Sequence, residues 1–166
     1  MTVTKEKTKV EVGLEPSRAE EIADHLNMYL SSLQVLNTKL HNYHWNVEGE
    51  AFFTLHEVLE DLYTAGFEEI DDVAERILKI GFRPLAKLED YVARSVISEV
   101  ESVGVQGPVL VASLIEDYHK LVDMLRDLIE IAEKHGDEGT ADDAIAFLKD
   151  KEKRIWMLTA YNTRTS

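Results

Sequence analysis

Between positions 41 and 61 the chain runs HNYHWNVEGEAFFTLHEVLED. Three of its six histidines, His41, His44 and His56, fall inside that stretch, beside Trp45, Glu57, Glu60 and Asp61. Imidazole and carboxylate together suit iron, manganese or zinc. The sequence contains no cysteine, so disulfides, thiolate ligands and thiol catalysis are excluded. Two readings are open for such a stretch: a metal site, or a helix–loop–helix corner with polar trim.

Further carboxylates bear on the choice. His56 and Glu60 stand four residues apart, and so do Asp71 and Glu75. Residues at i and i+4 share a helix face. The step from Glu60 to Asp71 is about three turns, which puts both pairs on nearly one stripe. Like charges at i and i+4 weaken a helix slightly unless a cation bridges them. The alternative is a solvated acidic face partly compensated by Arg76 and Lys79.

Spacing sets a condition on the metal reading. The two pairs are centred about fifteen residues apart, or roughly 22 Å along a straight helix. One chain cannot bring both to a single centre. Two copies of the helix, packed antiparallel about a twofold axis, would set His56 and Glu60 of one against Asp71 and Glu75 of the other, twice over. The crossing would fall near Ala65-Gly66, where small residues let backbones approach. Gly66 otherwise costs about 1 kcal/mol of helix propensity relative to alanine. His44 ends the preceding helix and swings in beside His56 through a short turn. His41, one turn earlier, is assigned to the surface.

These residues need long helices to position them. Pro16 and Ser17, with Glu20 in a capping-box pattern, open a helix over about 18–46 marked by Leu26, Leu30, Leu33, Leu36 and Leu40. A second runs over about 53–80 and stops at Gly81. Residues 82–107 form a long connection in which LAKLEDYVA makes a short helix. A third long helix starts near Pro108 and ends before Gly136, and a fourth spans about 141–162. No strand alternation is evident. The expectation is all-α: a ferritin-like four-helix bundle with a long crossover between helices 2 and 3. Residues 1–16 form a short mobile tail and 17–166 the single bundle domain, a size that suits one core.

The chain carries a formal net charge of −14, which repels polyanions unless a basic patch stands apart. No apolar run is long enough to cross a bilayer, and the N-terminus lacks the apolar core of a signal peptide. The cytoplasm is the expected location.

The string HNYHWNVEGEAFFTLHEVLEDLY followed by DDVAERI resembles the Dps family of small ferritin-like proteins that sequester iron and protect DNA. The resemblance extends over nearly the whole chain in helix order and is strongest from Leu40 to Gly81. It implies a hollow homo-dodecamer built on twofold dimers, with di-iron ferroxidase centres at the twofold interfaces. Carried over by position, His44, His56 and Glu60 come from one subunit, and Asp71 and Glu75 from its neighbour. The implied activity is binding of Fe(II), oxidation by hydrogen peroxide in preference to oxygen, and storage as a ferric mineral, with zinc or manganese as substitute metals. The family usually has Asp where Glu60 stands. The longer side chain leaves direct ligation and a place outside the ligand set both open. Trp45 matches a tryptophan beside the centre. Asp137 and Asp142 match acids that line iron-entry pores, or serve simply to start the last helix.

Three rival functions are weighed. A DNA-compacting protein of the same family, associated with the nucleoid, would use a lysine-rich tail. Here Lys5, Lys7 and Lys9 are offset by Glu6, Glu11 and Glu15, and the C-terminus adds only Arg164, so DNA binding is expected to be weak or absent. A ferritin with its di-iron site inside one bundle needs two Glu-x-x-His motifs on different helices, and only Glu116 to His119 fits. The third rival is a helical scaffold without metal.

Overall fold

The computed structural model describes residues 7–163. Helix α1 spans Pro16–Asn46, α2 Phe52–Lys79, α3 Leu88–Arg94, α4 Gly107–His135 and α5 Glu138–Asn162. The four long helices and the crossover match the expected bundle. Two short strands, β1 (Val47–Glu48) and β2 (Val105–Gln106), pair in parallel. Periodicity could not reveal them, because two residues are too few to alternate. Their pairing fixes the topology. The chain leaves α1 at the same end of the bundle where it enters α4. It departs along α2, about 42 Å long at 1.5 Å per residue, and the crossover must bring it back. On the way α3 packs against α1.

The starts of two helices differ from the expected ones. Glu15 caps α1 instead of Ser17, its carboxylate accepting from the backbone N–H of Ser17 at 3.2 Å and of Arg18 at 3.3 Å. Pro16 explains the shift: its fixed φ suits the first helical turn, where a missing N–H costs nothing. Helix α5 starts at Glu138, capped by Asp137, whose side chain accepts from Thr140 N–H at 3.1 Å. Helix α2 stops where expected. Gly81 takes φ +92°, and the next amide, Phe82 N–H, reaches back to Ile77 C=O at 3.1 Å.

Residues 7–15 are non-helical and lie along the end of α2. Thr8 N–H donates to Gly81 C=O at 2.8 Å, and the Lys7 ammonium sits 5.8 Å from the Phe82 ring centre. Leu14 packs on the core. Lys5, Glu6 and Arg164 lie outside the described residues.

The core is a continuous cluster in which Ile22, Leu30, Leu59, Val73, Ile77, Leu110, Leu114, Leu121 and Leu125 are buried. Charged groups cross it. Lys39 Nζ lies 2.6 Å from Asp117 Oδ2, with both side chains buried. Lys151 pairs with Glu69, which also accepts a hydrogen bond from the Tyr29 hydroxyl. Burial, then the Glu69 charge, pushes the Tyr29 phenol well above its ordinary pKa, so it remains a donor. Removing Lys39 would leave the buried Asp117 charge with only the exposed Lys120, 3.4 Å from its other oxygen. Lys39→Met is therefore expected to destabilise the chain by about 3 kcal/mol. Lys39→Met with Asp117→Leu should recover most of that loss, as read from guanidinium unfolding midpoints.

Candidate metal centre

The α1–α2 corner brings His44 and His56 together. Their rings stack with centroids 3.7 Å apart and planes 20° from parallel. Each is held by the other's backbone: His44 Nδ1 lies 2.8 Å from His56 C=O, and His56 Nδ1 lies 2.9 Å from His44 C=O. A carbonyl only accepts, so each Nδ1 carries the proton and donates. In the neutral ring this leaves the Nε2 lone pair free for a cation. His41 shares the pattern, its Nδ1 lying 2.8 Å from Asn37 C=O. Its ring stacks on Tyr63 at 4.0 Å, with Trp45 and Phe67 close by, so it is half-buried among aromatics.

The remaining candidates lie along the outer face of α2. Glu60, Asp71 and Glu75 are all exposed, and Glu75 meets Lys79 at 3.3 Å. The same face carries Phe53 at 80 % exposure and Phe67 at 54 %, with Trp45 at 70 % at the end of α1. Aromatic side chains exposed in this way are enriched in protein–protein interfaces, whereas carboxylates are depleted there unless something pairs with them. Among the described residues of one chain, no three His, Asp or Glu side chains converge on a metal-sized point. The structure thus joins His44 to His56 but does not bring Asp71 and Glu75 to them within one chain.

Within one chain Gly66 lies against α1. A Cβ there would lie 2.7 Å from the Asn37 side-chain oxygen on α1. Gly66 therefore makes room for α1, while Phe67 occupies the outward position.

Asp137 is engaged by its cap to Thr140 and by a part-buried ion pair with Arg76. Asp142, Glu138 and Asp143 are exposed. Glu116 and His119 are also exposed, so that motif does not face the bundle interior, where lysine ammonium groups already pair with the carboxylates.

Sequence reasoning missed Glu69, Lys151 and the Arg76–Asp137 pair. One signal was available. Glu69 falls seven residues after Leu62 and four before Val73, and Lys151 falls three after Leu148 and four before Ile155. Both are charged residues at positions where the apolar stripe calls for an aliphatic one.

The comparisons agree with this geometry. A family model described as Ferritin-like domain matches residues 23–166. The DNA protection during starvation protein 2 of Bacillus anthracis is 39% identical over 142 residues, covering 86% of this chain and 97% of its own length. The crystal structure of a Dps protein from Bacillus brevis superposes with a TM-score of 0.87 at 39% identity, covering 90% of this chain and 100% of that one. The chain belongs to the Dps family of ferritin-like proteins. A Dps protein from Vibrio cholerae, described as a member of a broad superfamily of ferritin-like diiron-carboxylate proteins, matches with a TM-score of 0.89 at 32% identity, over 93% of this chain and 97% of its own. Membership carries the general Dps role in iron storage and oxidative protection. Dps proteins generally assemble as dodecamers from dimers. Among the described residues no helix is long and apolar enough to cross a membrane.

The carbonyl clamps fix a tautomer that solution measurement can check. At a pH where the rings are neutral, long-range ¹⁵N–¹H correlation spectra should show His44 and His56 protonated at Nδ1. An Nε2–H form at either ring would contradict the hydrogen-bonding scheme.

Proposed function

We propose that this Dps-family chain oxidises Fe(II) at di-iron centres shared between two subunits and stores the product as a ferric mineral. One observation carries the reading. Two clamped imidazoles present free Nε2 atoms beside an exposed stripe of carboxylates and uncovered aromatics, which amounts to half a centre on a face that needs a second copy. We assign His44, His56 and Glu60 to one subunit, and Asp71 and Glu75 to its twofold neighbour. The residues suit the ion: neutral imidazole and anionic oxygen bind Fe²⁺, and hard oxygen favours Fe³⁺ more strongly. Glu60 lies one turn beyond His56 and has the reach to ligate directly.

The substrates are two ferrous ions and one hydrogen peroxide. Each ion gives up one electron. The peroxide takes both electrons and two protons, its O–O bond breaks, and two waters leave. Pairing the one-electron donors avoids releasing a hydroxyl radical. Glu75 must exchange its exposed Lys79 contact for the cation, a small cost because an exposed pair contributes little. Trp45 covers the centre once the second chain is in place. Asp142 is the acid we assign to iron entry, since Asp137 is held by the start of α5 and by Arg76. The functional assembly is a homo-dodecamer built on twofold dimers, and zinc or manganese would compete for the same ligands.

Mixing variants tests the shared centre. His44→Ala/His56→Ala chains and Asp71→Ala/Glu75→Ala chains should each assemble normally and each lose rapid peroxide-driven iron oxidation. Reassembled together in equal amounts, they should recover about a quarter of the native centres, because half of the dimers are mixed and each mixed dimer has one complete site of two. No recovery from correctly sized mixed assemblies would refute the two-chain centre.

DNA compaction finds little support. The net charge is −14, and Lys7 rests against Phe82 instead of standing free. Gel-shift assays at physiological salt should show no retention of duplex DNA. Tight, salt-sensitive retention would reverse this reading.

A further inference from the structure

The outer face of α2 holds Asp71 and Glu75, but the helix is also tied to α5 by two ion pairs that flank them in sequence, one buried and one part-buried. Glu69 pairs with Lys151, and Arg76 pairs with Asp137. Positions 69 and 76 are seven residues apart, two turns, so both project to the same side of the helix. At about 100° per residue, Asp71 leaves the helix roughly 140–160° away from the two ties and Glu75 roughly 100–120° away, both toward the outer face and between the ties in sequence. We propose that Glu69–Lys151 and Arg76–Asp137 are positioning pairs that set the rotation of α2 about its axis and so aim Asp71 and Glu75 at the shared centre. The inference rests on the ligand assignment above.

Three observations support it. The close backbone partner of α2 is α1, and beside the shared apolar core two long charged arms reach from α2 to α5. Hydrogen-bonded charges add a directional constraint that apolar contacts lack. The Glu69 carboxylate is held from two helices at once, by Lys151 on α5 and by the Tyr29 hydroxyl on α1. Rotating α2 would break at least one of these bonds in the interior. Arg76 is likewise held twice, Nε donating to Thr140 Oγ1 at 2.8 Å while a terminal nitrogen bonds Asp137. Gly139 leaves space for that guanidinium, since a Cβ there would sit 2.9 Å from it. Asp150, half-exposed, also meets Lys151 at 3.3 Å but keeps Arg154 at 3.2 Å when Lys151 is replaced. The Glu69 charge depends chiefly on Lys151.

Buried ion pairs can often be exchanged for apolar residues without loss of stability. This allows aiming to be separated from folding. In Tyr29→Phe/Glu69→Leu/Lys151→Met no buried donor or charge of the network is left alone. The expected result is a dodecamer with a native melting temperature. Its affinity for Co(II), read by the metal's visible absorption, should be lowered at least 10-fold, the usual scale for losing an outer support of a ligand. The KM for Fe(II) should rise while kcat at saturating iron stays within about twofold. Native Co(II) affinity and native KM in the assembled triple variant would overturn the proposal. If the triple variant does not assemble, Lys151→Arg keeps the charge and lengthens the arm. Weakened Co(II) binding in that variant supports the proposal and unchanged binding overturns it. Asp71→Ala serves as the control: if it binds Co(II) like the native assembly, the ligand assignment itself fails, independently of the positioning pairs.

Discussion

An imidazole becomes a dependable metal ligand when its second nitrogen is held, and here each of two histidines is held by the other's main chain. The bonds from His44 Nδ1 to His56 C=O and from His56 Nδ1 to His44 C=O close a ring across the α1–α2 corner. They fix both tautomers and tie the end of one long helix to the start of the next. Because the acceptors are backbone atoms, the clamp forms only when both helices are in register. The chemistry of the corner therefore depends on the packing of the bundle. The packing depends in turn on contacts far from the corner, such as the close approach of α1 to Gly66.

Helix α2 serves two environments at once. Its inner side meets a core of aliphatic residues crossed by ion pairs, and its outer side shows carboxylates interleaved with Phe53 and Phe67. A lone chain satisfies only the inner side. The inner charges are paired and hydrogen-bonded from several helices, as buried charges must be. The outer carboxylates have water and one exposed lysine contact. This difference separates the structural carboxylate Glu69 from the candidate ligands Asp71 and Glu75, although the three lie within seven residues.

Much of the fold was legible because helices reveal themselves locally. Leucines at steps of three and four, Gly81 and Gly136 as stops, and Pro108 as a start fix four long helices to within a few residues. The histidine–carboxylate spacing of α2 is likewise a local fact, and so is its inability to close around one ion within a single straight helix. The cap at Glu15 was misplaced by two residues because Ser17 and Glu20 offer an equally regular pattern, and Pro16 decides between them. The β1–β2 pair escaped notice because it joins residues 47 and 105 over only two positions each.

The sequence by itself determined the helical architecture, the absence of thiolate chemistry, and the condition that a centre using both the 56/60 and the 71/75 pairs takes two copies of α2, since each follows from periodicity, composition or a fixed rise per residue. Only the tertiary structure decided which nitrogen of each histidine is free, which acidic residues are bound up inside, and that Gly66 yields space to Asn37. Those outcomes depend on atoms brought together from distant parts of the chain. Hydrogen bonds and ion pairs act over a few ångströms in space, and no count of residues along the chain measures that distance.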